Sequence, residues 1–209
     1  GRVLCAAVCQ DTVALVGLRS DNHIKLRSSA FPKLFDIDLS VLDPLESEKW
    51  TTDALIRGVA AGFIKSGFRI GGFNAVVQSN VGIGSGLSSS ASFEVLLGCI
   101  LNALYNGNQI DFIRIAQIGQ YAENVYFNKP CGLMDQVASS MGGVLSIDFE
   151  DAENPVVEPV RMDLDATDYV LAVVDTGAGH VDLTEAYAAI PAEMKRSAAL
   201  FEKSTLREV

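Results

Sequence analysis

Apolar positions recur along the chain with two different spacings, and the alternation between them predicts an order of elements. Residues 2 to 18 are rich in Val, Leu, Ala and Cys and predict a strand or a pair of strands, with a turn or bulge at Gln10-Asp11. Ser20-Asp21-Asn22 then predicts a hairpin turn into His23 to Ser28, where Ile24 and Leu26 alternate with polar neighbours. Phe35, Ile37 and Leu39 continue that alternation around Asp36 and Asp38, as a half-exposed strand does. The spacing changes after Thr51-Thr52, either of which can cap a helix. Leu55, Ile56, Val59, Ala60 and Phe63 predict a helix over Asp53 to Lys65, ended by Ser66-Gly67. Phe73 to Gln78 is a strand, and Ser92, Phe93, Val95, Leu96, Cys99, Ile100, Ala103 and Leu104 form a helical stripe. A second helical pattern runs from Ile110 to Val125, and a short helix is predicted within Gly132 to Met141 because Pro130 breaks what precedes it. Three strand-like runs follow, Val144 to Phe149, Val156 to Met162 and Tyr169 to Asp175, and then an amphipathic helix from Asp182 to about Lys203.

Between the Phe73 strand and the stripe that follows it lies V-G-I-G-S-G-L-S-S-S-A, residues 81 to 91. Glycines at 82, 84 and 86 allow positive φ and expose backbone N–H groups, and Ser88, Ser89 and Ser90 stand where a helix begins. Unpaired amides at a helix N-terminus attract an anion, so the expected ligand is a phosphate. Neither familiar phosphate fingerprint fits. The third glycine of G-x-G-x-x-G is replaced by Leu87 or Ser89, and no lysine occurs between Lys65 and Lys129 to complete a Walker loop.

S-N-V-G-I-G-S-G-L-S-S-S-A-S-F-E resembles the second motif of the GHMP small-molecule kinases, and its three serines resemble the galactokinase members in particular. Lys129-Pro130-Cys131-Gly132-Leu133-Met134-Asp135-Gln136 resembles the segment that carries their active-site aspartate. The resemblance implies an α+β fold like domain 2 of ribosomal protein S5, a mixed sheet with helices on one face. It also implies ATP and Mg2+ as cofactors, and transfer of phosphate to the anomeric hydroxyl of galactose or a related hexose. On that pattern Gly84, Ser85, Gly86, Leu87, Ser88, Ser89, Ser90 and Ala91 bind the nucleotide, Ser90 and Glu123 hold the metal, and Asp135 is catalytic. The same resemblance implies that Gly132, Asp135 and Tyr187 contact the sugar. Trp50 loosely resembles an aromatic near the nucleotide base, at a spacing that does not match, and is left outside the site. Gly82 departs from the family, which has proline there.

The family also carries an earlier acidic motif and a third, glycine-rich motif in a C-terminal domain, and neither is present in residues 1 to 209. The expectation is an N-terminal ATP- and sugar-binding domain truncated at both ends, inactive alone, whose partner is the C-terminal domain of the same polypeptide. Two other readings stand beside it. One is a galactokinase-like sugar sensor, against which the intact Ser88 to Ala91 stretch counts; the other is a kinase of the same class for another acceptor, such as N-acetylgalactosamine.

Composition narrows the partners. With 16 basic and 26 acidic residues the net charge is −10, which disfavours nucleic acid and anionic membrane. No apolar run reaches a membrane span, and no signal peptide is evident. Cysteines at 5, 9, 99 and 131 form no C-x-x-C pair and suit free thiols of a reducing cytoplasm, with Cys5 and Cys9 expected in the core on one strand face. His23 is assigned no chemistry, the D-x-D of Asp36 and Asp38 is read as outward strand residues, and His180 and Asp182 as a turn and a helix cap.

Overall fold

A computed structural model describes residues 1–82, 84, 86–163, 166, 168–170, 172–174 and 184–209, the last group without the side chains of 184, 185, 187 and 188. In chain order its elements are β1 (Arg2–Ala6), β2 (Thr12–Leu18), β3 (His23–Ser28), β4 (Phe31–Asp38), α1 (Thr52–Lys65), β5 (Phe73–Ser79), α2 (Ser89–Tyr105), α3 (Phe112–Tyr121), α4 (Met134–Met141), β6 (Val144–Asp148), β7 (Val156–Pro159) and α5 (Thr184–Ala199). A π-helical turn, Ala122–Phe127, continues α3. The α+β class read from the sequence is the class observed.

Among the described residues the strands form two hydrogen-bonded sheets, β2-β5-β3-β4 and β1-β6-β7. In the larger one β5 lies antiparallel to β2, with Leu18 opposite Phe73, and parallel to β3, with Ile24 opposite Phe73. The turn at Ser20-Asp21-Asn22 therefore does not close a hairpin, contrary to expectation, because β5 inserts between the two strands it joins. Arg19 holds the insertion from its rim, giving Nε to Asp21 Oδ1 at 2.7 Å and a second nitrogen to Asn74 Oδ1 of β5 at 2.8 Å.

One face of this sheet contributes Ile24, Leu26, Phe35, Ile37, Phe73, Ala75 and Val77 to the core. Ile56, Val59, Ala60 and Phe63 of α1 and Val95, Leu97, Ile100 and Leu101 of α2 close over them. The period-2 and period-3.6 stripes thus meet in a single apolar layer. A smaller cluster joins Leu145 and Ile147 of β6 to Leu133 and Val137 of α4 and Ala116 of α3. Arg57 is the charged exception on α1, buried in a bidentate pair with Glu48 at 2.7 Å to each carboxylate oxygen.

Three further expectations are corrected. The described residues of the predicted strand at Tyr169 to Asp175 carry no strand, and β7 ends at Pro159, whose ring cannot donate to a ladder. Cys9 lies beyond β1 and is exposed, while Cys5 is only partly buried. Thr51 stands at the start of α1 but gives its hydroxyl to Glu48 O at 2.6 Å and caps no amide. The predicted final helix begins, as described, at Thr184; His180 and Asp182 lie outside the described residues. His23 pairs with Asp36 across the β3–β4 ladder at 2.8 Å, an exposed pair in keeping with the outward reading of both residues.

Candidate active site

The glycine loop takes the backbone conformation its composition anticipates: Gly84 and Gly86 have φ of 75° and 76°. Ser88 follows with φ of 58°, in the left-handed region, and serves as N-cap of α2. Its hydroxyl does not bond the helix amides. It donates instead to Asp135 Oδ2 at 2.6 Å, bringing the N-cap of α2 and the first turn of α4 together. The opening turn of α2 has no side-chain cap, so its leading N–H groups face out of the helix toward the loop. Gly86, Leu87, Ser88 and Asp135 line one cavity of about 460 Å³, closed on other sides by Ala6 to Val8, Met134 and Ser139.

Two residues beyond Ser88, the sequence creates a second junction, deeper in the fold. Ser90 and Glu94 are four apart on α2 and share a face. Ser90 donates to Glu123 Oε1 at 2.9 Å, and Lys129 Nζ sits 2.8 Å from the same oxygen. Glu123 comes from the π-helical turn, where the wider winding changes the phase of α3 and turns a carboxylate into a position that is 2% exposed. The turn packs on α1 at Gly58, where an added Cβ would lie 2.9 Å from Ala122 Cα. Asn128, with φ of 69°, ends it, and Lys129 returns its amide to Glu123 O at 3.1 Å.

Gln136, beside Asp135 on α4, completes this junction from below. Its Nε2 donates to Glu123 Oε2 and to Glu94 Oε2, each at 3.0 Å. Glu94 and Gln136 are fully buried, and Glu94 Oε1 and Gln136 Oε1 find no hydrogen-bond partner. An orphaned buried acceptor costs about 1–3 kcal/mol. Burial, reinforced by the neighbouring Glu123, pushes the Glu94 carboxyl well above the ordinary carboxylate range. Burial opposes the charge of Lys129, but its hydrogen bond and attraction to Glu123 outweigh this and raise its pKa. Burial likewise drives the Cys131 thiol far up, so it is no thiolate nucleophile.

The structure thus brings Gly86, Leu87, Ser88 and Asp135 together at the cavity and Ser90 and Glu123 together at the junction, while Gly84, Ser89 and Ala91 are their neighbours along the loop and the first turn of α2. Gly132 is exposed, and an added Cβ there meets nothing within 4 Å, so no close approach explains its glycine. Ser85 and the side chain of Tyr187 lie outside the described residues. Three participants in the junction were missed by sequence reasoning: Glu94, Lys129 and Gln136. The signal for Glu94 was present, since it is the sole charged residue in the apolar stripe of α2.

Residues 54–143 match the family model described as GHMP kinases N terminal domain. Over those residues the chain is a GHMP kinase N-terminal domain. Every element that builds the loop, the π-helical turn and the Asp135 helix falls inside or at the edge of that match. Similar curated relatives of this GHMP domain are the galactokinase of Clostridium tetani, 33% identical over 142 residues, covering 68% of this chain and 36% of that protein. Another is the galactokinase of Lacticaseibacillus casei, 31% identical over 206 residues, covering 97% of this chain and 52% of that protein. Among solved structures, Lactococcus lactis galactokinase complexed with galactose aligns with a TM-score of 0.78 and 26% identity, over 100% of this chain and 54% of that one. Methanococcus jannaschii mevalonate kinase shares the fold, with a TM-score of 0.63 at 16% identity over 78% of this chain and 50% of its own. The chain spans about half the length of the relatives it matches or less. Among the described residues no helix is long and apolar enough to cross a membrane.

Proposed function

We propose that this chain is the N-terminal half of a galactokinase, a kinase that moves the γ-phosphoryl group of ATP to the anomeric hydroxyl of galactose. The observation that carries the reading is the contact of Ser88 at the start of α2 with Asp135, which puts the glycine loop and the proposed catalytic carboxylate in the same cavity. Similarity to galactokinases of several bacteria supports galactose as the acceptor.

The residues fit Mg2+·ATP. The uncapped first turn of α2 offers its N–H groups to phosphate oxygens, and Ser90 and Glu123 offer a hydroxyl and a carboxylate, the hard donors this cation prefers. The cation already resting on Glu123 Oε1 is the ammonium of Lys129, so that oxygen is disposed toward positive charge. When bound, the metal would neutralise phosphate oxygens and help hold the nucleotide in line.

Asp135 then orients the sugar hydroxyl and takes its proton as the new oxygen–phosphorus bond forms and the bond to the departing ADP oxygen breaks. Ser88, donating to Asp135 at 2.6 Å, keeps that carboxylate turned toward the loop. The C-terminal domain of the same polypeptide would supply the remainder of the nucleotide site.

A coupled ADP-release assay on the full-length polypeptide, with galactose and Mg2+·ATP, tests the reading. Asp135→Ala should lower kcat at least 100-fold while nucleotide binding persists. Undiminished turnover would remove Asp135 from its role, and turnover of N-acetylgalactosamine but not galactose in the same assay would replace the acceptor.

A further inference from the structure

We propose that Glu94 is a positioning residue for the carboxylate of Glu123, acting through the side-chain amide of Gln136. This rests on the metal-holding role proposed for Glu123. Gln136 Nε2 has two hydrogens and two acceptors at 3.0 Å, Glu94 Oε2 and Glu123 Oε2. A flipped amide would set its oxygen against the two acceptor oxygens it now serves. Glu94 therefore fixes which end of the amide faces Glu123, and in doing so anchors Oε2 of that residue.

Anchoring one oxygen decides where the other points. Glu123 Oε1 is left toward the Ser90 hydroxyl and toward Lys129, whose side chain is 44% exposed, so that oxygen lies on the side of the junction that Lys129 opens to solvent. Packing serves the same end. An added Cβ at Gly119 of α3 would lie 3.1 Å from Glu94 Cβ and 3.2 Å from Glu94 Oε2, so α3 bears directly on the Glu94 side chain.

Stability does not account for Glu94. It is sealed, with Oε1 unpartnered, and faces Gln136, which has an unpartnered oxygen of its own. An apolar side chain of the same length would fill the space without that penalty. A locally unfavourable choice at a junction that holds a ligand carboxylate is the signature of a residue kept for orientation.

The test is Mn2+ binding to the full-length polypeptide in the presence of ATP, followed by electron paramagnetic resonance, with thermal unfolding measured beside it. Glu94→Met should raise the apparent Kd for Mn2+ about 10–100-fold while the unfolding midpoint holds or rises. Glu94→Gln should stay within about threefold of the parent, because its amide can both accept from and donate to Gln136. Glu123→Ala is the control. If it weakens Mn2+ binding and Glu94→Met does not, the positioning role is overturned while the reading of Glu123 survives. Unaltered binding in Glu123→Ala would overturn the metal role of Glu123 and the inference with it. Should Glu94→Met fail to fold, Gln136→Met severs the same link, and parent-like Mn2+ affinity in that variant overturns the inference.

Discussion

Two buried regions of this molecule, less than three helical turns apart on α2, are built on opposite principles. Around Val95, Leu97, Ile100 and Leu101 the helix meets sheet residues such as Phe35 and Phe73, and what is sealed there is hydrocarbon. Around Ser90 and Glu94 it meets Glu123, Lys129 and Gln136, and what is sealed is polar, with two acceptors unsatisfied. The first region gains free energy from each atom it removes from water. The second gains little and restricts three side chains to single orientations. The difference teaches where this fold is made and where it is used: the apolar layer holds α2 against the sheet, and the rigid helix carries its first turn into the cavity with Asp135.

The contrast is sharpest at Phe63, fully buried in the apolar layer. Phe63→Ala should cost about 3–5 kcal/mol in urea unfolding, the usual range for truncating a buried aromatic. Ser88→Ala at the site, which removes only the hydroxyl bonded to Asp135, should cost well under half of that while lowering turnover. Equal losses of stability in the two variants would break the comparison, because the site would then be supporting the fold as much as the core does.

Gly58→Ala probes the seam between the regions. The new methyl would meet Ala122 Cα at 2.9 Å and Tyr126 Cγ at 2.9 Å, and backbone on the far side cannot swing away as a side-chain tip does. Overpacking of this kind costs about 1–3 kcal/mol. The π-helical turn should shift with it, so Mn2+ binding at the site proposed around Glu123 should weaken together with the unfolding midpoint. A loss of stability with no change in Mn2+ affinity would mean that the turn absorbs the strain without moving its carboxylate.

Much of this was legible beforehand, and what escaped follows a rule. The loop, α1, β5 and the stripe of α2 are local patterns, readable because a helix or strand face is set by spacing alone. Asp135 and Glu123 were visible through motif resemblance. The insertion of β5 between β2 and β3 was not, since strand order depends on partners about fifty residues apart in sequence, which no local turn signal encodes. Lys129 was overlooked because its pairing with Glu123 spans a π-helical turn, and helical i,i+4 spacing does not anticipate that register. Gln136 was passed over in favour of the carboxylate beside it, although a neutral amide is the side chain best able to join two buried acids.

Glu94 and Asp21 give the comparison in its smallest and most specific form, because their titrations run in opposite directions. Glu94 has a folded-state pKa raised above 4.5, so its contribution to stability is complete below that value and is lost as pH climbs toward the raised one. Glu94→Gln should remove this decline, and the variant should gain on the parent as pH rises through that window in equilibrium unfolding. Asp21, on the surface, is held down to about 2 from 3.8, chiefly by its hydrogen bonds from Arg19. Its contribution is complete above 3.8 and is lost as pH falls through 2, so Asp21→Asn should differ from the parent at neutral pH and converge with it in acid. The pair is exposed and screened, and the Asp21 effect should shrink further in high salt, whereas the sealed Glu94 effect should not. Equal salt sensitivity in the two would mean that water reaches Glu94, and the division between a dry polar junction and a wet surface pair would not hold.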